Sequence, residues 1–392
     1  EYFEADFEEE KTPESYLLVR YLRNSTYLAL LYGWRSNEFL TQVEQKPSVD
    51  LEMVGVPVGR FVYEGSVEAG HYNLELSDIL KPEPLDPPGL WRFHTEHKLS
   101  LPFTLGIFRF DPSVRALATA VSRSAMDRGD FQDAESRSGT GFGLTASTTF
   151  SRAFGLTSEL LDLNRLRHVL TPYIGIDSLS VSGAKSAQFI QMDRVDAIDT
   201  GTELTLGLRQ QLQTKRRREG KWRSIDWAKL DVAYVSRSSD SVMTALDDDY
   251  LRGDFELQLT DRISVHSRDD WMGGGNQPDV WNFGAALDYL PKWAFQIDYD
   301  SISDLTSTLT MDLSYQLSDR YRLLVVEQYE FDSRGEGEEK NMVTRVIVRR
   351  LLHEWILDVG LHIEKANEEI AFVFGFGPKG SGARKDFRRT AQ

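Results

Sequence analysis

Two stretches decide how the chain is read: Asn164–Asp177, NRLRHVLTPYIGID, and Val195–Arg216, VDAIDTGTELTLGLRQQLQTKR. In the second, Leu204, Leu206 and Leu208 fall on one side, while Glu203, Thr205, Gly207 and Arg209 fall on the other. Successive side chains of a strand point to opposite faces, so this is the period of a two-faced strand. The first stretch is more polar. Arg165, Arg167 and His168 crowd together, and Pro172 has no N–H to give to a sheet ladder. It reads as too polar for a buried strand.

The same alternation runs outward from there. Phe142, Leu144, Ala146, Thr148 and Phe150 alternate with Gly143, Thr145, Ser147, Thr149 and Ser151. In the C-terminal third, Phe255, Leu257 and Leu259 oppose Asp254, Glu256 and Gln258. Trp281 to Tyr289, Leu305 to Leu317 and Trp355 to Ile363 repeat the pattern. Towards the N-terminus, Tyr16–Leu22, Tyr27–Trp34, Val49–Val54, Phe61–Ala69, Trp91–Leu101, Leu105–Phe110 and Val114–Val121 read as further strands. Leu80–Gly89, with Pro82, Pro84, Pro87 and Pro88, is a loop. Arg123–Gly139 is polar and reads as an exposed excursion. No amphipathic helical pattern of useful length occurs.

The connections carry a second signal: they alternate short and long. Thr260-Asp261, Leu290–Lys292, Ser318-Asp319 and Leu352–Glu354 are short, Ser301–Asp304 and Lys365–Glu368 are of medium length, and Met272–Asp279 and Ser333–Lys340 are long. Short turns on one rim and longer loops on the other are the habit of outer-membrane barrels, whose short turns are periplasmic. Aromatics flank the connections: Trp271 with Trp281, Tyr289 with Trp293, Tyr315 with Tyr321. Such side chains suit a membrane–water interface, although aromatics are common in strands anyway.

Composition bounds the rest. The 392 residues carry 45 basic and 61 acidic side chains, a net charge of −16, which argues against a nucleic-acid partner. There is no cysteine, hence no disulfide and no thiolate chemistry. The longest nearly apolar run, Tyr27–Tyr32, is far short of the ~20 residues of a membrane-spanning helix, whereas a spanning strand needs ~9–11 and only one apolar face. The chain opens on Glu1 without a basic-then-apolar leader, so a signal peptide has been removed or the chain is a fragment. A closed sheet of the roughly 18–20 strands expected has an interior too wide for side chains to fill. Turning the apolar face outward to lipid is therefore the easier arrangement. The fold expected is all-β, a large antiparallel transmembrane β-barrel, with residues 1–376 in the barrel and 377–392 a basic, disordered tail.

Candidate chemistry is sparse. His94 and His97 are the one close histidine pair, and at that spacing on a strand they face opposite ways, which disfavours zinc. Met272-Gly273-Gly274-Gly275 lacks the Lys-Ser/Thr of a phosphate cradle. Lys215–Arg218 (KRRR) reads as a solvated turn rather than a site for anionic lipid, and Asp247–Asp249 as a solvated loop rather than a cation site. No carboxylate pair stands out for catalysis, so no enzyme, cofactor or metal is expected.

With a barrel favoured, specific words in the sequence resemble the family of LPS-assembly proteins, LptD. EYFEADFEEEKTPESYLLVRYLRNSTYLALL is similar to the family's mid-barrel region, and Glu44-Gln45-Lys46-Pro47 to a segment that follows it. Leu166–Pro172, LRHVLTP, is similar to the family's Leu-Arg-His-x-x-x-Pro signature, carried here by Leu166, Arg167, His168 and Pro172. Gly207–Arg216, GLRQQLQTKR, beginning Gly207 and Leu208, looks like the strand after it. The motifs cover Tyr2 to Arg216, in the family's order. The resemblance implies a barrel that takes lipopolysaccharide from an LptA-like periplasmic bridge and releases it sideways into the outer leaflet of the cell outer membrane. It also implies an LptE-like lipoprotein plugging the interior, and no catalytic residues. Three features depart from the family: the periplasmic jelly-roll domain and first strands are missing, the cysteines are absent, and the tail GPKGSGARKDFRRTAQ has no counterpart. A general porin or substrate channel shares the barrel but not the motif order. A soluble propeller would show a repeat of ~40–50 residues, and none is seen.

Overall fold

A computed structural model of the chain describes residues 15–378 except 36–40, 77–88, 125, 128–129, 132, 219, 240–248, 273–278, 290–291, 304–305, 332–339 and 365–368. The described residues form a 21-stranded antiparallel sheet, one two-stranded ribbon and a single 3-10 turn, Ser186–Gln188. The ladders begin at Ser15–Arg23, which pairs with Thr26–Trp34, and end at Trp355–Glu364 with Glu369–Pro378. Contacts divide the chain into two compact units. One comprises residues 1–148, 173–206 and 235–248; the other comprises 149–172, 207–234 and 249–392.

Four of the short connections are hairpin turns with a residue in left-handed backbone: Asn24 (φ 52°), Gly59 (φ 63°), Gly106 (φ 61°) and Gly220 (φ 78°). Positive φ at a turn's centre matches the twist of the flanking strands. The expected alternation of short and long connections extends through the N-terminal half. The proline-rich loop, the Gly273–Gly275 run, most of Asp247–Asp249 and the end of the basic tail lie outside the described residues.

Two legs of the sheet are interrupted, so the strand count exceeds the 18–20 expected. Leu90–Ser100 and Phe103–Leu105 are parted at Pro102. Glu135–Thr148 and Phe150–Ser158 are parted at Thr149. The second break has a cause across the ladder. Pairing with Leu163–Gly183 reaches Ser147↔Tyr173 on one side and resumes at Phe150↔Leu170 on the other, which leaves Pro172 in the gap. Its missing N–H removes the rung.

Several expected boundaries are corrected. The polar stretch Asn164–Asp177, read as too polar for a buried strand, lies within Leu163–Gly183, the longest described strand at 21 residues, most of whose side chains are exposed or half-exposed. A face open to solvent tolerates Arg and His, so the segment is a strand without being a buried one. Leu105–Phe110 is a hairpin around Gly106, followed by one strand, Phe108–Val121. Val49–Val54 is the middle of the 17-residue strand Gln42–Val58, lengthened by two bulges. The excursion Arg123–Gly139 ends early, because the strand resumes at Glu135.

The two faces differ in the way the sequence pattern requires. On Gly201–Arg218, Leu204, Leu206 and Leu208 are exposed on one face, while Gly207 is buried on the other. On Glu369–Pro378, Ile370, Phe372, Phe374 and Phe376 form an exposed apolar row. The opposite face carries the ion pairs: Arg115 with Asp177 (2.7 Å), Arg209 with Asp231 (2.7 Å), and Arg349 with Asp358 (2.9 Å). Of the aromatic pairs, Trp271 and Trp281 meet edge to face at 5.5 Å, and Tyr289 stacks on Trp293 at 5.0 Å.

Candidate functional site: an acidic arm held by two arginines

The connection between Leu163–Gly183 and Gly201–Arg218 does not leave the sheet but folds back over its polar face. The turn starts at Gly183, in left-handed backbone (φ 99°), where a side chain would overlap the Ser136 carbonyl. Ala184 N–H then donates to that carbonyl (3.0 Å). At the far end, Thr200 Oγ1 accepts from Val181 N–H (2.9 Å), closing the base of the arm.

Residues 185–199 mix apolar and acidic side chains, and each kind has its own place. Phe189 and Ile190 join Tyr72, Leu90, Val121 and Ala184 in a buried cluster, with Val43, Leu74 and Met192 packed around it. Asp199 accepts from Ser186 N–H (3.0 Å) and from the Ser186 hydroxyl, fixing the 3-10 turn. Asp196 Oδ2 accepts from Met192 N–H (3.1 Å) and Asp193 N–H (3.3 Å), so the tip is a carboxylate-centred turn.

Two arginines reach the arm from the strands. Arg92, on Leu90–Ser100, donates from Nη1 to Asp196 (2.9 Å) and Asp193 (3.0 Å), and from Nη2 to Glu68 (2.6 Å) and again to Asp193. Its guanidinium lies 4.3 Å above the Tyr72 ring, and the Tyr72 hydroxyl donates to the same Glu68. Arg137, on Glu135–Thr148, donates to main-chain carbonyls: Ile198 (2.6 Å), Asp196 (3.2 Å) and Val195. It also covers the Phe189 ring at 4.2 Å. The Arg92 and Asp196 side chains are 1% and 2% exposed, so this is a buried, hydrogen-bonded pair rather than a surface one. Burial pushes the Asp196 carboxyl above its ordinary pKa, and Arg92 pulls against that shift.

Of the residues singled out in sequence, six come together on neighbouring strands. Leu166, Arg167, His168 and Pro172 lie on Leu163–Gly183, and Gly207 and Leu208 on Gly201–Arg218. His168 and Gln210 bridge the two strands (3.2 Å), and Asn164 N–H donates to Thr214 Oγ1 (2.9 Å). Arg167 donates to Ser151 Oγ (3.3 Å). Pro47 is not with them; it sits at the bulge between Gln45 and Ser48, after a cis peptide bond.

The basic run Lys215–Arg218 corrects the expectation of a solvated turn. It closes a strand, and Arg216 points into the polar side at 2% exposure. Arg216 holds Asp162 (2.6 Å), Asp261 (3.2 Å) and the carbonyls of Gln258 (2.9 Å) and Leu259 (2.7 Å), tying together two short turns. His94 and His97 face opposite ways as their spacing predicts: His94 is buried against Thr119 (3.0 Å), and His97 is exposed beside Tyr63 (2.7 Å). Among the described residues, no group of three or more His, Asp or Glu side chains is arranged to hold a metal ion.

Sequence reasoning missed Arg92, Arg137 and the arm. One signal was present. Arg137 alternates with Gly139, Gly141 and Gly143 on a single face, a large cation followed by a run with no side chains.

The fold and site together define an all-β antiparallel sheet with one apolar face, one charged face, and an arm clamped over the charged face. No family model matches the sequence, and no curated protein matches it. Nineteen solved chains match in structure. One is the ferric citrate transporter FecA in unliganded form, at 10% identity and a TM-score of 0.38, covering 90% of this chain. The chain spans 62% of that protein's length.

Proposed function

We propose that this chain is the barrel portion of an LptD-type outer-membrane protein that assembles lipopolysaccharide into the outer leaflet. In this reading its partners are lipopolysaccharide, an LptE-like plug lipoprotein, an LptA-like periplasmic bridge and the outer-membrane lipids. The observation that carries the membrane part is the exposed apolar face. Burying one Phe or Leu side chain is worth about 1.5–3 kcal/mol. A row such as Ile370, Phe372, Phe374 and Phe376, with Phe372 87% exposed, would be costly in water and is stable in hydrocarbon. The opposite face then meets water. Trp271 with Trp281 at a long connection, and Tyr289 with Trp293 at a short one, suit the two interfaces.

The lipopolysaccharide part rests on the order of the motifs and on the adjacency of two of them, bridged by His168 and Gln210. The proposed role is transport and insertion, for which the chain needs shape and polarity rather than a catalytic group.

The test is fractionation of cells that express the full-length protein, with mass spectrometry of what co-purifies. Lipopolysaccharide and a small lipoprotein in the outer-membrane fraction are expected. An outer-membrane trimer with neither partner would replace this reading with a general porin. A soluble, lipid-free product would overturn the membrane assignment altogether.

A further inference from the structure

The arm at residues 185–199 crosses a large part of one unit's polar face. It leaves Leu163–Gly183, passes Arg137 on Glu135–Thr148 and Val121 on Phe108–Val121, and meets Arg92 on Leu90–Ser100. It ends against Tyr72 on Phe61–Glu75. Neighbouring strands lie ~4.8 Å apart, so the arm reaches roughly 20 Å across the sheet.

Its cover is local. Beneath it, Arg92 is 1% exposed, whereas Lys98, Glu64 and Asp177 on the same face keep 43%, 44% and 55% of their side-chain surface. Within this unit the polar face is thus open around Lys98, Glu64 and Asp177 and shut where the arm lies.

The anchors differ in kind. Arg92 binds side-chain carboxylates at the tip, while Arg137 binds three main-chain carbonyls, those of Val195, Asp196 and Ile198, and fixes the path of the backbone. Phe189 and Ile190 add an apolar foot. A solvated loop needs none of these, and together they hold one conformation against thermal motion.

We propose that this arm is a constriction that restricts the passage of water and small solutes along the polar face, with Arg92 and Arg137 as the positioning residues that keep it in place. The inference rests on the outer-membrane reading above.

The test is single-channel conductance of the purified full-length protein in planar bilayers. Three changes are compared with the wild type: residues 185–199 replaced by a short Gly-Ser linker, Arg137→Met, and Arg137→Lys. Folding of each is checked by its β-sheet circular dichroism and thermal transition. The linker variant leaves both arginines free to meet water, so it remains informative if Arg137→Met fails to fold.

The linker variant is expected to conduct several-fold more than the wild type. Arg137→Met should fall between them, and Arg137→Lys should lie nearer the wild type. Equal conductance of the wild type and a folded linker variant would overturn the constriction. A Lys variant that conducts as much as the Met variant would overturn the anchoring role of Arg137. Failure of every form to insert, with the protein recovered folded and soluble, would overturn the membrane reading and this inference with it.

Discussion

Replacing Arg92 with Met removes the guanidinium while keeping most of the side chain's volume, so the change isolates its charge and hydrogen bonds. Three carboxylates lose a partner, but unequally. Glu68 and Asp193 are 25% and 40% exposed and can turn to water. Asp196 is 2% exposed and keeps only its two main-chain donors, Met192 and Asp193. Removing one member of a buried pair costs about 3–5 kcal/mol, because the other is left charged in a poor solvent. The arm has its own attachments, so the cost is expected as local release rather than loss of the sheet. At 1.4 kcal/mol per tenfold, amide exchange in residues 188–196 should quicken about a hundred-fold to a few-thousand-fold. Exchange in the ladders should be unchanged. Trypsin should also cut at the exposed Arg194. Asp196→Asn alone should be milder, since a neutral amide avoids the penalty that raises the carboxyl's pKa. Combined with Arg92→Met it should recover much of the protection, a coupling that a double-mutant cycle reads directly. Unchanged exchange in the Arg92→Met arm would refute the argument.

Other consequences follow from the two faces and from close approaches. Leu206→Arg, on the apolar face, should cost about 2–4 kcal/mol in liposome unfolding if the site lies near the bilayer midplane, and Thr205→Arg much less. Equal costs would remove the polarity assigned to the sheet. Arg216→Met should loosen the two turns it ties and lower stability by roughly 1.5–3 kcal/mol, the range for hydrogen bonds to a charged group; denaturant titration measures it. Gly360→Ala should destabilise by about 1–3 kcal/mol, because its Cβ would overlap the Val346 carbonyl and backbone has nowhere to go. Gly155→Ala meets nothing within 4 Å and should be neutral or stabilising by up to about 1 kcal/mol, as the unfolded chain loses freedom. The two glycine variants, compared by thermal melting, are internal controls for each other.

The strands were legible where one face is apolar and the other polar, because Leu204, Leu206 and Leu208 then alternate cleanly with Glu203, Thr205 and Gly207. They were misread where a single Gly turned the chain inside an apolar run, as at Gly106. The arm was not legible. Arg92 and Asp196 are 104 residues apart, and nothing local to either announces the other. Arg137 fell in a stretch read as a loop, because its neighbours Ser136 and Ser138 are polar on the face where Leu or Phe usually signals a strand.

The described ladders join legs that follow one another along the chain, from Ser15–Arg23 with Thr26–Trp34 to Trp355–Glu364 with Glu369–Pro378. That arrangement bears on how the protein is made. Nearest-neighbour pairing keeps loop closures short, and short closures are entropically cheap. Each new hairpin can dock on the edge left by the last, without waiting for a distant partner to be synthesised. Growth by accretion also leaves one raw edge at every stage, a template for any passing strand until the next hairpin covers it. A nascent chain of this design is therefore open to pairing with other strands at that edge until its last hairpin docks.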